Sequence, residues 1–216
     1  MKLKQINFKN LGVNFNSVEL IPHDPQWAET FGEIKEALTA DLTDFGIDKF
    51  QIEHIGSTAL PIIAKPLIDV EVCVPSTDEA KEITKNFASC GYSFWTTADH
   101  GVVNVTPNSQ GNVVSSMYFS TPDGGSLKST VLFKKFMLEH LEYLKEYEML
   151  KKSIIRNNPG IKFRGYTEMK SAFIQKMLKE ARATYTEKEI SELVSLKKSA
   201  TAIRRELLTP ALFDFR

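Results

Sequence analysis

Ile52-Glu53-His54-Ile55-Gly56-Ser57-Thr58-Ala59-Leu60-Pro61 and, a little further on, Leu67-Ile68-Asp69-Val70-Glu71-Val72-Cys73-Val74 are the two stretches on which the fold turns. The first alternates enough from Phe50 to Ile55 to be a strand and runs directly into the turn Gly56-Ser57-Thr58. The second is the clearest strand in the chain, rich in β-branched residues and stopped by Pro75. Side chains two residues apart on a strand share a face, so Asp69 and Glu71 project together. The remaining positions of this strand are apolar, which predicts a central place in a small mixed sheet.

A strand that delivers Gly-Ser into a turn offers close backbone approach, N–H donors and a hydroxyl, a set that can cradle phosphate oxygens. Eleven residues separate Ser57 from Asp69. Two same-face carboxylates on an apolar strand are costly to bury without a compensating cation, and hard oxygen donors in this number suit Mg²⁺ together with substrate phosphates. Asp69 and Glu71 are therefore the candidate metal ligands and catalytic acids, and Gly56, Ser57 and Thr58 the candidate phosphate-binding turn.

Outward from this centre, Val18-Glu19-Leu20-Ile21 is expected to be a strand. Asp24 and Pro25 open a helix whose face carries Trp27, Phe31, Ile34, Leu38 and Leu42. Ser76 to Glu79 is a capping-box pattern that begins a second helix. Gly101 to Thr106 and Val113 to Ser120 are further strand candidates. From about Ser129 the periodicity is helical through Ile154, is broken at Asn157-Asn158-Pro159-Gly160, resumes from Tyr166 to Ala183, and closes with a more polar helix from Glu187 to Leu207. The expected architecture is an α/β (α+β) core with a small mixed sheet, residues 1–128, followed by an α-helical part, 129–184, and a C-terminal helical extension, 185–216.

Composition narrows the partners. The chain has 27 Lys plus Arg against 27 Asp plus Glu over 216 residues, so no global field gathers polyanions or anionic lipids, and nucleic acid is disfavoured. No apolar run spans a bilayer, so no membrane role is expected, and the start lacks a signal-peptide stretch; the cytoplasm is the expected compartment. Two cysteines, Cys73 and Cys90, suggest reduced buried thiols.

The pattern of apolar residue, Gly-Ser, eleven residues, then acid, apolar, acid resembles the signature of the nucleotidyltransferase superfamily. Val18-Glu19-Leu20-Ile21-Pro22-His23-Asp24-Pro25-Gln26-Trp27, the Ile52 to Pro61 run and Lys65-Pro66-Leu67-Ile68-Asp69 look like motifs of its GrpB-like family. Tyr147-x-x-Leu150-Lys151 and Tyr166-x-x-x-Lys170-x-x-Phe173-Ile174 look like that family's helical motifs. The similarity spans Val18 to Leu178. It implies a nucleoside triphosphate held by Gly56-Ser57, with Lys151 and Lys170 offsetting its charge, metal on the acids, and transfer of a nucleotidyl group to a small acceptor. Two departures stand out: Val114-Ser115-Ser116-Met117-Tyr118-Phe119 replaces a histidine-rich strand that in the wider superfamily often carries a third carboxylate, and Lys134 and Lys135 replace an Arg-Asp pair. Asp99, Asp123, Glu53 and His54 are the candidates for a substitute base. The rival expectations are a catalytically silent nucleotide or phosphometabolite-binding module, and a structural protein that uses its extension, with Lys197, Lys198, Arg204 and Arg205, as an oligomer contact.

Overall fold

Ile68, Val70 and Val72 alternate with Asp69, Glu71 and Cys73, and in the computed structural model this alternation assigns the two faces of the sheet to different neighbours. The structure describes residues 3–89, 93–96, 101–106, 112–200 and 203. In chain order the elements are α1 (Gln26–Asp44), β1 (Lys49–Ile55), β2 (Ile68–Cys73), α2 (Thr77–Ser89), β3 (Ser93–Thr96), β4 (Gly101–Val105), β5 (Ser115–Ser120), α3 (Ser126–Glu139), α4 (Leu141–Asn157), α5 (Phe163–Thr184), α6 (Glu187–Glu192) and β6 (Lys197–Lys198). The sheet order is β3-β4-β5-β2-β1-β6, with β2 and β5 parallel and the other neighbours antiparallel. The strand carrying the acids is thus central, as its composition predicts, in the expected α+β arrangement.

On one face, Ile68, Val70 and Val72 join Ile52, Met117 and Phe119 in a core closed by Trp27, Ile34, Leu38 and Leu42 of α1 and by Ala80, Ile83 and Phe87 of α2. The opposite face presents Asp69 and Glu71, with Cys73 packed on Leu127 and Val131 of α3. A second core joins Leu60 and Ile62, from the segment between β1 and β2, to residues of α3, α4 and α5 such as Phe136, Leu144 and Met177. The helical half therefore packs on the polar face of the sheet.

Several elements differ from expectation. Val18–Ile21 is not a strand; only Ile21 bridges, to Ala64, through two backbone hydrogen bonds of 2.9 and 3.0 Å. The long helix after Ser129 is two helices that meet at His140, whose φ of −127° and ψ of 81° leave the helical region. No proline or glycine marks that break; the His140 ring lies 4.3 Å from the ring of Phe136, a tertiary contact invisible to periodicity. The short strand β3 is not among the expected elements, although Phe94, Trp95 and Thr96 are residue types that favour strands. The predicted last helix is interrupted: α6 stops at Glu192, the chain pairs Lys197 and Lys198 with Phe50 and Lys49 on the edge of β1, and Ala200 and Ile203 are helical again. Arg204 and Arg205 lie outside the described residues. Edge pairing supplies partners for open backbone groups of β1, an advantage greater than a weakly periodic polar helix offers. At the start of α2 the cap half of the predicted box forms, with Ser76 Oγ accepting from the Glu79 N–H at 3.3 Å and donating to Glu79 Oε2 at 2.8 Å.

Gln51 fastens the extension: its Nε2 donates to the Leu193 carbonyl at 2.9 Å and its Oε1 accepts from the Ser195 N–H at 2.7 Å. Gln51→Ala should lower stability by about 1–2 kcal/mol, the net worth of two hydrogen bonds, one half-buried and one exposed. Urea denaturation will show this as an earlier midpoint, and amide exchange should quicken around residues 193–198 far more than in β2. An unchanged midpoint with intact protection there would refute the fastening role.

Candidate functional site

The turn after β1, the acidic face of β2 and the inner faces of α3 and α5 enclose one cavity of about 410 Å³. Gly56, Ser57, Thr58, Asp69, Glu71 and Lys170, six of the seven predicted site residues, border it together. The seventh, Lys151, does not. Register explains the convergence. Asp69 sits opposite Ile55 on β1 and Ser116 on β5, while Glu71 sits opposite Glu53 and Tyr118.

Gly56 is required for a reason the sequence alone does not give. Its φ of 71° and ψ of −165° lie in a region essentially reserved for glycine. A Cβ there would also stand 2.4 Å from Asp69 Oδ2, so the bare backbone makes room for the carboxylate. Ser57 shares a hydrogen bond with the Tyr147 hydroxyl. Thr58 turns its hydroxyl inward, donating to the Leu67 carbonyl at 3.0 Å and lying 3.0 Å from His54 Nε2. With the threonine proton committed to Leu67, the imidazole is the donor in that pair.

Both acids are met by protein groups. Glu71 is fully buried, and its two oxygens accept from Ser120 Oγ at 2.9 Å and Thr130 Oγ1 at 2.7 Å. Asp69 accepts from the Tyr118 hydroxyl and lies in the field of Lys65 and Lys170. Burial lifts its pKa above the usual carboxylate range, and the two lysines and the tyrosine oppose that rise. The same burial pushes Lys170 down to about 8, with Asp69 pulling the other way. Lys65 falls to about 7, lowered by burial and by Lys170 and raised by Asp69. Its Nζ lies 3.4 Å from the centre of the Phe163 ring, a cation–π contact that holds the amine at the cavity wall.

Lys151 stands behind that wall. It is fully buried, donates to the Ile63 carbonyl, lies over the Tyr147 ring, and is pushed down to about 6 by burial and by Lys170 and Lys65. It thereby ties α4 to the segment that carries Leu60, Ile62 and Lys65.

Sequence reasoning missed Lys65, Tyr118, Tyr147, Phe133 and Phe163. Lys65 had a signal, since it opens the run that ends at Asp69; Phe133, Tyr147 and Phe163 belong to the helical half, where spacing reads them as core, and Tyr118 stands in the strand noted for its replaced histidines. The candidates for a substitute base fare differently. His54 lies on the opposite face, stacked on Phe31 at 4.8 Å and lowered to about 4, chiefly by burial. Glu53 is paired with Lys134 Nζ at 3.3 Å and borders a different cavity. Asp123 is exposed and does not border the site, and Asp99 lies outside the described residues. The place beside Glu71 on β5 is held by Tyr118, whose hydroxyl burial and the two acids keep protonated well above its ordinary range.

Asp69 and Glu71 suit a divalent cation, because a carboxylate has about four lone-pair positions and each Glu71 oxygen uses only one on a hydroxyl. Among the described residues no group of three or more His, Cys, Asp and Glu could hold a metal by itself, so a cation here would need oxygens from its ligand.

Two variants probe the site. Gly56→Ala should cost about 1–3 kcal/mol from backbone strain and more from the clash. Adding Asp69→Gly should return only the clash component, and a Gly56→Ala protein as stable as the parent would contradict the geometry. The second concerns pH. Lys151 holds its proton to about 6 when folded and to about 10.4 when unfolded. Across that window the unfolded chain binds more protons, so stability rises with pH. Lys151→Met should flatten the rise in thermal midpoint over that window; parallel curves would show that the amine is not held neutral.

Comparison with known proteins gives the family and the fold. The family described as GrpB protein matches residues 17–180. The chain is 28% identical over 158 residues to UPF0157 protein YqkA of Bacillus subtilis, covering 66% of this chain but only 41% of that protein. It is 27% identical over 176 residues to glutamate-rich protein GrpB of Alkalihalophilus pseudofirmus, covering 79% of this chain and 99% of the relative. The crystal structure of conserved protein GrpB from Enterococcus faecalis superposes with a TM-score of 0.66 at 26% identity, covering 77% of this chain and 99% of that one. No helix among the described residues is long and apolar enough to cross a membrane. A family match over residues 17–180, with the same fold in a relative's crystal structure, makes this chain a member of the GrpB family.

Proposed function

We propose that the cavity binds a nucleoside triphosphate together with Mg²⁺, and that the chain moves a nucleotidyl group from it to a small acceptor. The observation that carries this reading is the meeting, in one cavity, of a Gly-Ser turn, two same-face carboxylates and two inward lysines. Gly56 and Ser57 present backbone and hydroxyl to phosphate oxygens, with Thr58 bracing the turn from beneath. Lys65 and Lys170 meet phosphate charge, and Lys151 supports them by holding the Ile63 carbonyl. Asp69 and Glu71 would hold the metal, which when bound supplies charge stabilisation at the phosphate that reacts. Phosphate oxygens would complete the set of donors that the two carboxylates begin.

A second reading, a silent binding module, is favoured by Tyr118. A protonated phenol beside Glu71 cannot take a proton from an acceptor hydroxyl, and among the described residues no acid besides Asp69 and Glu71 borders the cavity. A positioned base is worth about 10²–10⁴ in rate. Binding is then retained and turnover is slow, rising with pH as the acceptor ionises.

Calorimetry with ATP, GTP, CTP and UTP, with and without Mg²⁺, separates these readings from a purely structural role. Metal-dependent binding is expected, with Asp69→Asn removing the metal-dependent part while the circular dichroism spectrum stays unchanged. An isotherm indifferent to Mg²⁺ and to Asp69→Asn would end the nucleotide reading. Release of label from the α-phosphate then distinguishes transfer from silent binding.

A further inference from the structure

The cavity has two chemically distinct ends. Among the described residues the charged ones that border it are Lys65, Asp69, Glu71 and Lys170, and no Asn, Gln or His does so. Lys170, Ile174 and Leu178 lie on successive turns of α5, so the wall passes from ammonium to aliphatic over two turns. Arg182 Nη2 reaches Ser129 Oγ at 3.3 Å, which places the start of α3 against the end of α5. Phe133 and Ile174 are half-buried at this end: each packs against the second core on one side and borders the cavity on the other. Phe133 is held edge-on to Tyr147 at 5.9 Å, and Tyr147 is stacked flat on Phe173 at 5.0 Å, so the ring is braced from behind.

We propose that the end of the cavity walled by Phe133, Ile174 and Leu178 takes the nucleobase by apolar contact, without reading its hydrogen-bonding edge. This rests on the nucleotide reading above: once phosphates occupy the Gly56-Ser57 and lysine end, the rest of the ligand extends along α5 toward these residues. The polar groups near this wall are hydroxyls, of Ser126, Ser129 and Thr130. A hydroxyl rotates to donate or to accept, so it fits adenine and guanine edges alike, whereas rejection of a wrong base needs a fixed donor or acceptor. Thr130 is also committed to Glu71, and Ser129 already accepts from Arg182. The pocket is therefore selective for a flat apolar ring and tolerant of which ring it is, with purines favoured over pyrimidines by area.

The test compares inorganic tripolyphosphate with ATP, GTP, CTP and UTP, all with Mg²⁺, on the full chain by calorimetry. A base on an apolar or aromatic wall is expected to make ATP about tenfold or more tighter than tripolyphosphate. ATP and GTP should agree within about threefold, since no fixed polar group among the described residues at this wall tells them apart. Phe133→Ala should drive the ratio of ATP to tripolyphosphate affinity toward one. Phe133→Leu, which keeps the packing on Tyr147, should give an intermediate ratio. A general loss of structure would weaken both ligands together and leave that ratio unmoved. Tripolyphosphate binding as tightly as ATP, or ATP and GTP differing more than about tenfold, would overturn the inference while the phosphate reading stands. Failure of every ligand to bind would overturn both.

Discussion

The burial of Asp69 and Glu71 between a sheet and a helical layer is the constraint that the rest of this structure serves. An ionised carboxylate in such a place is costly unless charges and hydrogen bonds meet it. Around Glu71 the answer is two hydroxyls, one from β5 and one from α3. Around Asp69 it is a phenol and two lysines, themselves stripped of water and shifted toward neutrality. Neither acid can be satisfied by the sheet alone. The helical half is thus electrostatically part of the site, and the packing of α3 and α5 on the polar face follows from it.

The segment between β1 and β2 is the hinge of this arrangement in a structural sense. It carries Gly56, whose missing side chain leaves space for Asp69, and Lys65, whose amine returns to face the same carboxylate. Its anchors include the bridge of Ile21 to Ala64 and the hydrogen bonds of Thr58 to the Leu67 carbonyl, Ser57 to Tyr147, and Lys151 to the Ile63 carbonyl. Leu60 and Ile62 bury themselves in the helical core, so the turn that presents backbone to the cavity is clamped from both sides. Such preorganisation suits recognition of a charged ligand, because little ordering is left to do on binding.

The strand β5 gives the site its individual character. Tyr118 occupies the position beside Glu71, and a buried phenol flanked by two acids is a hydrogen-bond donor over the whole physiological range. It steadies Asp69 and does not compete with it for protons. Beside the two acids, β5 thus offers a proton donor and not a proton acceptor.

The acidic strand, its central place, the Gly-Ser turn and the helix bearing Trp27 and Leu38 were legible because each is a local pattern: alternation, a stop, a cap, a period. The meeting of Gly56, Ser57, Asp69 and Glu71 was legible too, since short spacing on neighbouring strands leaves few alternatives. What the chain could not announce are relations between distant segments. That Lys65 faces the site while Lys151 turns to a carbonyl depends on which side of α4 meets the segment before β2. That residues 197 and 198 form an edge strand depends on β1, almost 150 residues earlier. Local sequence determines which backbone shapes are cheap; only tertiary packing decides which side chains lose their water together, and the character of this cavity is set by that shared desolvation.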